Sequence, residues 1–218
     1  MPERKQRPLE RSTEQRNRRA KKPAVSIATR IEDEVLFFRT WTTSPLKLGA
    51  FSPTSRALAE LMVKHAAPDP AGYTLELGPG TGVVTQALID AGIPPDRIIG
   101  VEYDKGFYRR LRERFPKINF IRGDALDLDK TLGEFRDIRF SAAISGLPLL
   151  NLPKAKRAPY LEGILDRLVP GGIVSQLSYS LTPPQEAIPG RLAVDKSKWV
   201  TLNLPPGRAW IYRRPAAA

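Results

Sequence analysis

The chain has 218 residues, 41% of them hydrophobic, enough for one α/β domain with a packed core and an appendage. With no cysteine and a single histidine it has no disulfide, no thiolate nucleophile, no thiolate zinc site and no histidine cluster, so no metal is expected. A net charge of +12 draws it to polyanions, either nucleic acid or an anionic membrane face; no apolar run approaches the roughly 18 residues of a membrane span, and the charged amino terminus predicts a cytoplasmic protein.

Residues 1–23 are mostly Arg, Lys, Glu, Gln and Ser. Between Met1 and Arg30 ten Lys or Arg stand against three Glu, so this arm carries more than half of the net charge. So few apolar side chains cannot offset the entropy of ordering, which predicts a disordered arm. Within residues 24–52, the stretch 31–42 predicts a short amphipathic helix with Ile31, Val35, Phe37, Phe38 and Trp41 on one face. Such a helix either packs on the domain or lies among lipid headgroups. Residues 53–218 read as the α/β domain. Its first helix is expected over 53–67, with Ser52 as cap, Pro53 in the first turn and Leu58, Leu61 and Met62 inward. His65 closes that face as a helix-end histidine.

From residue 73 onward, short β-rich runs alternate with helical stretches, the pattern of a parallel sheet covered on both faces. Strands are expected at 74–77, 97–102, 118–121, 140–145 and 173–179. Helices are expected at 83–91, 105–114 and about 158–168, ended by Gly92, Pro116 and Pro170. Two further strands, 199–204 and 209–213, are expected to be joined by the turn Pro205-Pro206-Gly207.

The first strand runs into Gly78-Pro79-Gly80-Thr81-Gly82 and then a helix. Glycines there let the backbone bend sharply and approach a ligand at the carboxyl edge of the sheet. A dinucleotide fingerprint wants glycine at the first, third and sixth positions, whereas the sixth here is Val83, which disfavours NAD. Glu102 ends the second strand, where a carboxylate accepts both hydroxyls of a ribose. Asp124 follows the third strand and can take an adenine amino group, with small Ala125 leaving room for the ring. Taken alone, Asp124 also reads as a turn residue. Glu76, Glu102 and Asp124 together at one edge indicate a nucleoside pocket.

The segment from Leu75 to Gly82, with Glu102 and Asp124, resembles the motifs of the class I S-adenosylmethionine (SAM)-dependent methyltransferases, over about residues 73–213. That resemblance implies a Rossmann-like fold: a seven-stranded, mostly parallel sheet with helices on both faces and its last strand antiparallel, preceded by an amino-terminal helical extension. It implies SAM as cofactor and S-adenosylhomocysteine as product, held by Glu76, Gly78, Gly80, Gly82, Glu102, Tyr103, Asp124, Ala125 and Ser145. Within the superfamily, Gly49-Ala50-Phe51-Ser52-Pro53-Thr54-Ser55-Arg56, Ser145-Gly146-Leu147-Pro148-Leu149-Leu150-Asn151 and Trp210-Ile211-Tyr212-Arg213-Arg214 resemble the bacterial phospholipid N-methyltransferases. Those enzymes convert phosphatidylethanolamine stepwise to phosphatidylcholine. The likeness implies a phospholipid substrate and peripheral association with the inner membrane face through residues 1–42.

Tyr179, at the carboxyl end of the fifth expected strand, is the candidate for orienting the amine or relaying its proton; its alternative is a packing tyrosine. Lys154, Lys156 and Arg157 face either lipid phosphate or solvent. The competing family is the ribosomal RNA adenine dimethyltransferases, which carry an Asn-Leu/Ile-Pro-aromatic tetrad after the fourth strand. Here Gly146 stands before Leu147-Pro148 and Leu149 after, while the later Asn151-Leu152-Pro153 is followed by Lys154. A third reading is a non-catalytic membrane- or RNA-binding protein that keeps a decayed cofactor fold.

Overall fold

The computed structural model describes residues 54–215. The elements run α1 (Arg56–Ala66), β1 (Tyr73–Leu77), α2 (Val83–Asp90), β2 (Ile98–Glu102), α3 (Lys105–Arg114), β3 (Asn119–Arg122), the short α4 (Leu128–Thr131), β4 (Phe140–Ser145), α5 (Lys154–Leu165), β5 (Leu168–Ser178), β6 (Ala193–Lys196) and β7 (Arg208–Arg213). Seven strands form one sheet in the order β3-β2-β1-β4-β5-β7-β6. The first five are parallel and β7 is antiparallel to both of its neighbours. This is the Rossmann-like sheet expected from the sequence. The strand order reverses between β1 and β4, and such a switch point opens a crevice at the carboxyl ends of the strands.

Period-2 alternation sorts the strand residues between two helical layers. Ile98, Ala142, Ile144 and Leu177 join Leu58, Met62, Leu88 and Leu111 in a core beneath α1, α2 and α3. Ser145, the neighbour of Ile144, faces the other way and meets Tyr160 of α5, so α5 covers the second face. Leu161 and Ile164 of that helix are fully buried.

Five expected strands and the helices after β1 and β2 lie within a few residues of their expected bounds, and three expectations need correction. The first helix begins at Arg56: Ser55 is its cap, its Oγ accepting the Leu58 N–H at 3.2 Å. Ser52 and Pro53, like the arm and the expected helix 31–42, lie outside the described residues. Helix α5 starts at Lys154, four residues ahead of the expected 158, and accommodates Pro159 in its second turn. It ends at Leu165, before Pro170, which lies inside β5 where a register shift against β4 absorbs the Pro170-Gly171-Gly172 run. The expected strand 199–204 is a loop held to Gly207 by one bridge at Val200, and the partner of β7 is instead the polar segment Ala193–Lys196. That segment is the sheet's edge strand, where charged side chains face water and the apolar signal of a strand is weak.

Candidate active site

The site is built from the loops that leave the carboxyl ends of five adjacent strands. At β1 the chain turns through the glycine run, whose first bend is held by the Gly78 N–H donating to the Val101 carbonyl at 2.9 Å. Gly80 has φ +56°, and a Cβ placed on it meets nothing within 4 Å, so this part of the turn faces open space. That combination, a left-handed backbone beside an empty cradle, suits close approach of a ligand.

Glu76 lies one residue from the end of β1, 1% exposed, and its Oε2 accepts the Thr85 hydroxyl of α2 at 2.7 Å. Its Oε1 is buried with no hydrogen-bond partner. Burial is the main cause that pushes this carboxyl up to about 8, with a further rise from nearby Glu102 and an opposing fall from Thr85. Next door at the end of β2, Glu102 Oε2 accepts the Gly80 N–H at 3.0 Å and its Oε1 accepts the Asp104 N–H at 2.9 Å. Burial raises this carboxyl as well, against those backbone bonds. The glycine turn and the β2 carboxylate are thus one hydrogen-bonded unit. Half-buried Tyr103 sits between Glu102 and Asp104, and Asp104 caps α3 by accepting the Gly106 and Phe107 N–H groups, both at 2.8 Å.

Beyond β3, Asp124 Oδ1 accepts the Leu126 N–H at 2.8 Å, the turn role foreseen as its alternative, while burial raises its carboxyl. Ala125 beside it is buried. At the end of β4, buried Ser145 meets the Tyr160 hydroxyl at 3.3 Å. Burial pushes the Tyr160 phenol up, and Asp124 adds to that rise, which places Tyr160 within electrostatic reach of Asp124. Gln176 on β5 is fully buried and its amide donates to the Leu147 carbonyl at 2.7 Å, tying down the loop after β4. Glu76, Glu102 and the glycine turn therefore lie together on the α2 side of the sheet, whereas Ser145 points to the α5 side.

Tyr179 follows the last residue of β5, half-buried, and its hydroxyl bonds to the side chains of Thr54 and Asn203. Burial raises its pKa. Arg157 is occupied within the fold, donating to the carbonyls of Leu150, Leu152 and Pro184, whereas Lys154 and Lys156 are exposed. Thr85, Tyr160 and Gln176 carried no sequence signal, because each is an ordinary helix or strand residue until the fold places it beside the edge. Asp104 did carry one, as an aspartate directly ahead of a helix.

A cavity of about 700 Å³ lies elsewhere, on the face of α3 lined by Tyr108, Arg109, Arg112 and Pro116. A smaller one of about 230 Å³ adjoins Gly80 and Thr81 on the opposite face of that helix. We place the site at the sheet edge because the buried carboxylates and the open glycine turn converge there, whereas Lys105, Arg109, Arg112 and Arg122 bring mainly positive charge to the larger cavity. Among the described residues no group of three His, Cys, Asp or Glu is arranged to hold a metal ion.

Residues 74–172 match the family model described as a methyltransferase domain. The ornithine lipid N-methyltransferase of Singulisphaera acidiphila is 30% identical over 151 residues, 68% of this chain and 79% of that protein. The chain belongs to the class I SAM-dependent methyltransferases. Another relative of this methyltransferase is the ribosomal RNA small subunit methyltransferase A of Synechococcus elongatus, 33% identical over 114 residues, 51% of this chain but only 39% of that protein. Among solved structures, TrmN from Thermus thermophilus shares the fold with a TM-score of 0.57 at 21% identity, covering 73% of this chain and 49% of that one.

Proposed function

We propose that this methyltransferase acts on the amine of a phospholipid headgroup, converting phosphatidylethanolamine stepwise toward phosphatidylcholine at the inner membrane face. The observation that carries the reading is the match to an ornithine lipid N-methyltransferase over most of that protein's length. The loop after β4 supports it. Gly146 has no side chain to accept from a base amine, and a Cβ there would stand 3.0 Å from the Gly78 carbonyl oxygen. Leu149, where the RNA enzymes' tetrad has its aromatic residue, is 1% exposed and has no ring to stack on a base. The ribosomal RNA relative and the basic composition favour the second reading, a base amine of RNA, which meets this same obstacle.

SAM supplies an electrophilic methyl group and leaves as S-adenosylhomocysteine. The residues present fit it: the cradle at Gly80 is open, and Glu76 Oε1 is a buried acceptor that lacks a donor. In this proposal Gly78, Gly80 and Gly82 admit the ligand to the backbone, and Glu102, oriented by Gly80 and Asp104, retains a lone pair on each oxygen for the two ribose hydroxyls. Tyr103, next to Glu102, would help hold the ribose. Asp124 would take the adenine amine through its second oxygen, Ala125 would leave space for the ring, and Ser145, held by Tyr160, would help hold the cofactor from the end of β4. Glu76 offers a counter-charge to the cationic end, and a cation brought near it favours the ionised form.

A primary headgroup amine with a pKa like that of lysine, about 10.4, is neutral in only about one part in a thousand at neutral pH, so a proton has to leave before attack. Tyr179 is the proposed orienting group. Its raised pKa keeps the phenol protonated, so it accepts from the amine through a lone pair or faces the growing cation with its ring, and the proton passes to water. The basic arm, outside the described residues, is proposed to hold the protein to anionic lipid. The deciding experiment offers radiolabelled SAM with phosphatidylethanolamine vesicles and, separately, with unmodified ribosomal RNA. Label in lipid alone is expected; label in RNA alone, or in neither, overturns the proposal.

A further inference from the structure

Five large aliphatic side chains of the described residues are exposed: Leu150, Val169, Leu181, Leu202 and Leu204. Singly scattered exposed apolar residues are ordinary. These are not scattered. Ser178 at the carboxyl end of β5 pairs with Arg208, and Lys196 at the end of β6 pairs with Trp210, so the chain after β5 and the β6–β7 loop both project from the edge that carries the glycine turn. Leu150 follows β4 at that same edge. Only Val169 lies at the other edge, at the start of β5.

The β6–β7 loop also reverses the usual pattern of apolar in and polar out. Asn203 is 2% exposed, accepting the Ser55 N–H and donating to the Pro205 carbonyl, both at 2.7 Å, while its neighbours Leu202 and Leu204 are 91% and 81% exposed. Leu181, also 81% exposed, tops the adjoining loop. Anchoring the amide inward holds both flanking leucines in water, at a cost that folding alone does not recover. Exposed Lys154, Lys196 and Lys198 stand on the same edge, where exposed Asp195 offsets one of them and leaves the edge net positive. Separate apolar tips on an edge that carries exposed lysines suit a soft anionic surface, where each tip enters independently, better than a rigid protein partner that needs a continuous complementary patch.

We infer that Leu181, Leu202 and Leu204 form an insertion rim that seats the carboxyl edge of the sheet on an anionic bilayer, presenting the pocket to headgroups. This rests on the lipid reading and adds to it a docking element separate from the amino-terminal arm.

The chain has no cysteine, so Leu202→Cys in the full-length protein accepts a single environment-sensitive fluorophore. With vesicles of phosphatidylglycerol and phosphatidylethanolamine, the probe at 202 and a second at Leu181→Cys should shift to the blue and brighten several-fold, and one at Val169→Cys should not. Paired Leu202→Asp and Leu204→Asp should weaken vesicle binding at least about tenfold while leaving affinity for S-adenosylhomocysteine unchanged. A silent probe at 202 on protein that floats with vesicles overturns the rim, as does a probe already shielded in free protein, or one that responds to RNA or to protein concentration alone. Methyl transfer to phosphatidylethanolamine dispersed in detergent is measured in parallel. Transfer with a silent probe removes the rim and keeps the lipid reading; a responding probe without transfer keeps the rim and removes that reading.

Discussion

Glu76 shows how one buried carboxyl couples the pocket to pH. Its folded-state pKa of about 8 lies above the ordinary 4.5, so the folded chain holds the proton more tightly than the unfolded one. The resulting stability is fully present below about pH 4.5 and is lost as the pH rises through about 8, a span on the order of 5 kcal/mol. Glu76→Gln keeps an acceptor for Thr85 and removes the titration. Thermal unfolding of both proteins at pH 5.5 and pH 8.5 should therefore show the wild type losing more stability than the variant, and parallel behaviour would contradict the buried, proton-binding carboxyl. Glu102 makes a different prediction. If its lone pairs take the ribose hydroxyls, Glu102→Ala should weaken S-adenosylhomocysteine roughly 10- to 100-fold by calorimetry, the value of one or two hydrogen bonds to a charged group. An unchanged affinity would move the nucleoside elsewhere. All three carboxylates and the glycine turn were legible in the sequence because strand ends and punctuating glycines mark themselves locally. Thr85 and Tyr160, which support Glu76 and Ser145, were not, since each is an ordinary helix residue until packing turns it toward the strand end.

At the scale of elements, Asn203 links three pieces of chain: the cap of α1 through the Ser55 N–H, the β6–β7 loop through Pro205, and Tyr179. Removing its amide leaves buried polar groups unpaired. Asn203→Ala should cost about 2 kcal/mol in urea unfolding and Ser55→Ala about 1 kcal/mol, whereas Leu202→Ala should be close to neutral. Equal effects at 202 and 203 would mean that the loop is not held by its asparagine. The same loop explains a misreading. Trp199, Val200, Leu202 and Leu204 have the composition of a strand, yet Asn203 takes the inward place and the leucines turn out. Helix α5 spans 154–165 and not the expected 158–168: Pro153 directly ahead of it suits a helix start, and Pro159 is accommodated in its second turn, where proline ordinarily breaks the pattern.

For the whole molecule, charge is the property that acts at a distance. An excess of +12 makes attraction to anionic vesicles fall as salt rises, because screening shortens to about 8 Å at physiological ionic strength. Flotation with phosphatidylglycerol vesicles at 50 and 500 mM salt should show at least a several-fold loss, and salt-independent binding would assign docking to apolar insertion alone.

The sequence by itself determined the alternation of strand and helix, and so the parallel sheet, the edge at which its loops gather, and the residue types that wait there. Those follow from local patterns: periodicity, caps and glycine bends. Tertiary structure alone decided that Glu76 is sealed against Thr85 while Glu102 binds the glycine turn, that Ala193–Lys196 and not 199–204 completes the sheet, and that three leucines stand in water on loops at the carboxyl edge. Burial and pairing between distant segments depend on where the chain comes to rest, and no short window of sequence contains that.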